Sequence, residues 1–330
     1  VNLRPIESPA LWRGDELQEK PERWLRELSR AEVAELREAA EALQRGGKPL
    51  AQIQSTDFPP SALAPLVADV RARLEHGLGF VLLRGVPVRE LGKQAAGLAY
   101  AWLGLQLGTP VSQNTDGDLL GHVRDTGASP LDHDVRLYKT RAELAFHTDG
   151  ADIIGLLCLR SGRSGGVSRI ASSVAVFNEI VRRRPDLAPL LLRTYQHHAH
   201  GQNGPDGPRT FGLPIVALDG PVFRMLLLTW YIRNAAQDFP ELAALDDAQR
   251  ELLDLLEAIP LEPGFALDMQ FRPGDIQFLK NSVILHARTE YEDWEDPDEK
   301  RHLLRLWLAQ PRFADGDAAL RRGIAKRASA

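Results

Sequence analysis

The stretch AELAFHTDGADIIGLLCLR, residues 142–160, carries strand chemistry broken by three polar side chains. Phe146 precedes the break and Ile153, Ile154, Leu156 and Leu157 follow it, so both flanks read as buried β-strand. His147 and Asp149 stand inside this run. Burying an imidazole and a carboxylate costs free energy unless each finds a partner. Positions two apart on a strand share a face, so the pair is expected to present both groups to one point. Imidazole plus carboxylate suits iron(II), manganese or zinc and calls for a third ligand. A His–Asp pair satisfied on a sheet face is the bland alternative.

The same texture recurs to either side. GFVLLRGVP (79–87) reads as a short buried strand closed by glycine and proline, and residues 90–107 as a helix. SQNTDGDLLGHVRD (112–125) and SGGVSRIAS (164–172) read as strand and turn. A helical insert spans about 173–195, and strands return in GLPIVALDGPVFRMLLL (212–228) with Asp219-Gly220 as a hairpin turn. A helix over about 241–258 precedes FALDMQFRPGDIQFLKNSVILHART (265–289), where Pro273-Gly274-Asp275 forms a tight turn. RHLLRLWLA (301–309) is the last clear strand. Residues 1–75 read as helical and polar, with Ser29 and Glu32 as a capping box and Gly46-Gly47 as a stop. They cover a core rather than form a second domain, and 311–330 is a tail. Short strands with glycine and proline turns indicate an α+β chain with a mainly β core, a jelly-roll or barrel decorated by helices.

Bulk composition excludes several functions. The 330 residues are 44% hydrophobic with a net charge of −5, and the 33 Arg and 7 Lys are scattered, which argues against nucleic acid as a partner. No window approaches a membrane span, and no secretory leader is visible, so the expected setting is cytoplasmic. The lone Cys158 lies in an apolar strand and reads as inert packing.

Context supplies a third ligand. His286 interrupts the apolar strand at the end of FLKNSVILHAR, as His147 does in its own. Two histidines and one carboxylate make a facial triad, with positions open for a co-substrate and dioxygen. Downstream, Arg301 and Arg305 stand four apart on a strand, hence on one face. Buried guanidiniums demand anionic partners, and a planar fork suits a carboxylate. A metal beside an anion clamp is what a chelating diacid such as 2-oxoglutarate requires.

With GFVLLRGVP, FHTDG, SGGVSRIAS, RPGDIQFLKNSVILHAR and RHLLRLWLA in this order over about 79–310, the chain resembles the taurine dioxygenase-like/clavaminate synthase-like group of iron(II)- and 2-oxoglutarate-dependent dioxygenases. The resemblance implies a double-stranded β-helix (jelly-roll) with a helical N-terminal region and helical insertions. It implies His147, Asp149 and His286 as iron ligands and Arg301 as holder of the far carboxylate of 2-oxoglutarate. Ser168 stands where the family often has a threonine for that co-substrate. Arg305 would face the inner carboxylate or an acidic group of the main substrate. The implied activity is oxidation of a C–H bond of a small, carboxylate-bearing or amino-acid-like molecule, with dioxygen consumed and succinate released. The presence of Asp149 favours hydroxylation or desaturation over halogenation. Such domains often associate through their helical faces, so a homo-oligomer is compatible with the sequence. A metal-binding jelly-roll sensor without oxygenase activity is the alternative, which leaves the arginine pair without a purpose.

Several residues carry weaker expectations. Gln113, Asn114 and Arg288 are candidate substrate contacts, while Tyr138 and Trp230 read first as core. His197, His198 and His200 form a rival cluster, more readily a surface or helix-end group than a zinc site. His76, His122 and His133 have no partner visible in sequence. The acidic EYEDWEDPDEK (290–300) reads as a solvated hairpin tip or as a lid that repels anionic substrates.

Overall fold

Strand side chains alternate between faces, and the largest sheet buries both of them. The computed structural model describes residues 3–128, 137–202, 207–219, 222–310, 313, 323 and 324. Seven strands form the major sheet, in the order Leu25–Glu27, Phe80–Arg84, Ile276–Lys280, Ile153–Arg160, His302–Ala309 and Thr109–Pro110, with Leu120–Val123 also paired to His302–Ala309. Leu25–Glu27 runs parallel to its neighbour, and the other pairings are antiparallel. Ile153, Leu157 and Leu159 point to one face of this sheet, into a core shared with helices Arg30–Gly46, Ala64–His76 and Val88–Leu105. Ile154 and Cys158 point to the other face. The same period places Leu304, Leu306 and Leu308 under the helices and Leu303 and Trp307 on the inner side.

A four-stranded sheet, Leu267–Met269, Ser168–Ser172, Ile284–Arg288 and Leu144–His147, closes over that inner side. Its outer face is packed by helices Ser173–Arg183 and Asp247–Ala258. Two facing, mainly antiparallel sheets wrapped by helices are the expected jelly-roll. Pro273-Gly274-Asp275 crosses from one sheet to the other, and buried Asp275 pairs with Arg84 at 2.8 Å to hold the corner.

Two local expectations change. Residues 25–27 form an edge strand inside the helical N-terminal region, too short and too charged to show in a periodicity search. Thr229–Asp238 is an additional helix, and its Trp, Tyr, Ile and Asn residues, with no side-chain cap, are weak helix formers. The strands flanking Asp219-Gly220 pair in antiparallel register, while Gly220 itself, His133 and most of the tail lie outside the described residues. Among the described residues no helix is long and apolar enough to cross a membrane.

Candidate metal centre and adjoining cavities

Two strands of the smaller sheet bring the histidines together. His147 ends Leu144–His147 and stands directly opposite His286 in the neighbouring strand, with ring centroids 4.2 Å apart. The strand stops there, so Asp149 does not reach the same point by period two. The backbone amide of Thr148 donates to the Leu227 carbonyl, and the Thr148 hydroxyl accepts from Leu227. Asn281 then latches the turn: its Oδ1 accepts the Asp149 amide and its Nδ2 donates to the carbonyls of Asp149 and Ala151. This fold-back aims the carboxylate at both rings. Asp149 Oδ1 lies 3.9 Å from His147 Nε2, and Oδ2 lies 3.5 Å from His286 Nε2.

The donor set fits a divalent transition metal. The ligand atoms of His147, Asp149 and His286 lie within 4.8 Å of one another, the one such group of His, Cys, Asp and Glu among the described residues. His147 Nδ1 donates to the Ala145 carbonyl at 2.8 Å, which leaves Nε2 with its lone pair toward the site. Burial, reinforced by the neighbouring His286, pushes the His147 imidazolium down to about 4, so a neutral donor ring prevails. Burial alone would raise Asp149, but Arg305 and the two imidazoles hold its carboxyl well below the usual range.

The inner face of His302–Ala309 supplies the surroundings. Trp307 Nε1 donates to Asp149 Oδ2 at 2.9 Å, and Arg305 Nη1 approaches the same oxygen at 3.4 Å. Arg305 Nε donates to Gln113 Oε1 at 2.7 Å, and its guanidinium lies between the rings of Tyr138 and Trp307. Trp307 had a signal in the sequence, because it continues the alternate positions 301, 303 and 305. Asn281 had none, since its three bonds depend on a loop from another sheet.

Two cavities meet at the triad. One, of about 50 Å³, is lined by His147, Asp149 and His286 together with Ser168, Arg288 and Arg301. The second, of about 160 Å³, opens on the other side between Tyr138, Phe146, Leu228, Trp230 and Tyr231, with Arg305 in its lining. Arg301 is 5% exposed, and among the described residues its Nη1 has no hydrogen-bond partner. Room for this side chain comes from Gly166, whose φ of 64° suits glycine and where an added Cβ would stand 3.0 Å from Arg301 Nε.

Other candidates take different positions. Gln113 is buried, donates to the Arg305 and Leu119 carbonyls and buttresses Arg305, outside the lining of either cavity. Asn114 is a turn residue whose Oδ1 accepts the amides of Asp116 and Asp118. Arg288 lines the smaller cavity with Arg301 and is not in the lining of the larger one. Tyr138 lines both cavities, and Trp230, 47% exposed, walls the open one instead of filling the core.

The rival histidines are each accounted for. His197 is buried against Phe211 and held down to about 4 by burial. His198 faces Asp238 at 3.4 Å, and His200 stacks on Trp230 at 4.5 Å. His122 bonds His302 at 2.9 Å, and exposed His76 has Glu75 at 3.8 Å. No residue of 290–300 lines either cavity. Glu292 pairs with Arg163, Asp293 accepts the Arg301 amide, and Tyr291 packs on the Arg288 and Arg301 guanidiniums. Burial pushes the Cys158 thiol up to about 12, in keeping with inert packing.

Known proteins resemble this chain in sequence and fold. The chain is 30% identical over 310 residues to FR-33289 synthase of Streptomyces rubellomurinus, covering 92% of this chain and 90% of that one. It is 30% identical over 292 residues to the taurine hydroxylase-like protein SAT17 of Stachybotrys chartarum, covering 84% and 73%. A uridine-5'-phosphate dioxygenase of Amycolatopsis is 27% identical over 73% of this chain and 88% of its own. The fold is that of an asparagine oxygenase solved with Fe(II), 2S,3S-3-hydroxyasparagine and succinate, at a TM-score of 0.66, 18% identity and coverage of 92% and 100%. It is also that of the non-heme iron oxygenase OrfP solved with Fe and alpha-ketoglutaric acid, at 0.64, 17% identity and coverage of 91% and 99%. Residues 46–307, which hold the triad and the arginine pair, match the family described as taurine catabolism dioxygenase TauD, TfdA, and the chain belongs to that family of dioxygenases.

Proposed function

We propose that the protein is an iron(II)- and 2-oxoglutarate-dependent dioxygenase that oxidises a C–H bond of a small, carboxylate-bearing or amino-acid-like molecule. One observation carries this reading: the His147–Asp149–His286 donor set lines the same small cavity as the buried, incompletely bonded guanidinium of Arg301. Leaving such a cation without an anion costs several kcal/mol or more, and a diacid chelating a metal at the triad would supply that anion. His147, Asp149 and His286 would hold the iron, and Arg301 and Ser168 the tail carboxylate. Iron and 2-oxoglutarate bound there supply activation of dioxygen and oxidation of the substrate C–H bond, with decarboxylation to succinate.

The chain's own contribution is positioning and exclusion of water. Trp307 and Arg305 fix the Asp149 carboxylate, and Gln113 fixes Arg305. The open cavity is the candidate substrate site. Its aromatic walls would desolvate the target bond, and Arg305 is the one Arg or Lys in its lining among the described residues, available to an anionic head group. The names of an asparagine oxygenase, a taurine hydroxylase-like protein and a uridine-5'-phosphate dioxygenase, and the (3S)-hydroxy-L-Arg solved with OrfP, define the panel to test. Under anaerobic conditions, Fe(II) plus 2-oxoglutarate is expected to give a weak visible charge-transfer band. Admission of oxygen with the right panel member should then release succinate. Metal binding with neither band nor succinate would favour a sensor instead.

A further inference from the structure

Arg288 is 6% exposed and Arg301 5%, and they flank one ring: the guanidinium carbons stand 4.8 and 4.9 Å from the centroid of Tyr291. Both line the smaller cavity with Ser168. Among the described residues neither makes an ion pair with a carboxylate, although two buried like charges repel each other. Arg288 spends only one nitrogen on the protein. Its Nη2 donates to the carbonyls of Thr140, at 3.0 Å, and of Ala142, while Nε and Nη1 have no hydrogen-bond partner among the described residues. Those carbonyls belong to the segment that leads from Tyr138, a wall of both cavities, to Phe146 and His147. The Tyr291 amide adds a further bond, to the Arg141 carbonyl at 3.2 Å.

We propose that Arg288 is a second guanidinium for the distal carboxylate of 2-oxoglutarate, and that through Nη2 this carboxylate sets the order of segment 138–146, the wall of the substrate cavity. The inference rests on the function proposed above. Two unbonded nitrogens on a buried cation give an incoming carboxylate charge-assisted bonds and relieve the repulsion with Arg301. With the guanidinium fixed at that end, its two carbonyl bonds at the other become a rigid strut. Arg288 is thus a co-substrate-binding residue at one end and a positioning residue for the substrate wall at the other. The apparent affinity for substrate rises when the binding-competent wall is already ordered.

Anaerobic protein loaded with Fe(II) tests this through two readouts that need no substrate: the dissociation constant of 2-oxoglutarate and amide hydrogen exchange across 138–146. In the native protein 2-oxoglutarate should slow exchange in that segment. Arg288→Gln should raise the dissociation constant at least tenfold and abolish the protection even at saturation. Arg288→Lys should recover part of the affinity without the protection. If Arg288→Gln binds within threefold of the native value, or is protected equally, the inference is overturned. Should the variants not fold, 2-oxopentanoate replaces them on the native protein, since it chelates iron but lacks the tail carboxylate. No protection of 138–146 is then expected, and protection equal to that by 2-oxoglutarate overturns the proposal. Native protein that binds Fe(II) but never 2-oxoglutarate would overturn the proposed function itself.

Discussion

Trp307 shows how much a single donor can decide in a metal site. Its indole N–H lies 2.9 Å from Asp149 Oδ2, so one oxygen of the carboxylate is held and the other is left facing His147. Outer contacts of this kind commonly govern metal affinity by 10- to 100-fold. Trp307→Phe is therefore expected to weaken Mn(II) binding about tenfold, read by electron paramagnetic resonance titration, with the fold retained by circular dichroism. Asp149→Ala should remove Mn(II) binding altogether in the same titration. At this scale the sequence exposes the residues that cannot be buried cheaply: His147, Asp149, His286, Arg301 and Arg305 stand out because each interrupts or abuts an apolar run. Asn281 does not stand out, and Gln113 reads as a substrate contact rather than as the brace of Arg305. An amide in a turn looks the same whether it faces water or braces a guanidinium, and only the strand it meets settles which.

Elements deliver these side chains to a common point, and some deliver them by loops. The fold-back at 148–151 depends on the three bonds of Asn281, a residue 4% exposed. Asn281→Ala leaves buried backbone groups unmatched and is expected to cost about 2 kcal/mol or more, seen as a lower denaturant midpoint at unchanged slope. A second test concerns the His302–Ala309 strand. Burial first, then His122, Lys93, Arg124 and Arg160, push His302 down from 6.5 to about 3. Between those values the unfolded chain binds a proton that the folded chain does not, so stability falls as pH drops from about 6.5 toward 3. His302→Gln should flatten that dependence in urea melts run across the window. Elements marked by caps and turns were readable: Ser29 and Glu32 form the capping box of Arg30–Gly46, and Gly47 ends it at a φ of 61°. The Thr229–Asp238 helix was not, because tertiary packing of Ile232 and Ala235, rather than propensity, holds it.

In the whole molecule, one sheet separates a core that bears only stability from a space that bears the site. Leu157, fully buried on the helical face, belongs to the first. Leu157→Ala is expected to cost about 2–5 kcal/mol, while the 2-oxoglutarate affinity of the folded fraction stays unchanged by calorimetry. The overall class was legible because alternation and turns repeat over more than 200 residues. How two sheets face each other was not, since Pro273-Gly274-Asp275 looks like a hairpin turn yet carries the chain from one sheet to the other.

Cys158, the single thiol of the chain, is 1% exposed. A cysteine introduced on the outside is therefore the one that a maleimide reaches first, and a nitroxide attached there will report from a known place. Placed on the Thr229–Asp238 helix, with Mn(II) as the second paramagnet, such a label turns the protein into a ruler for the breathing of its own entrance.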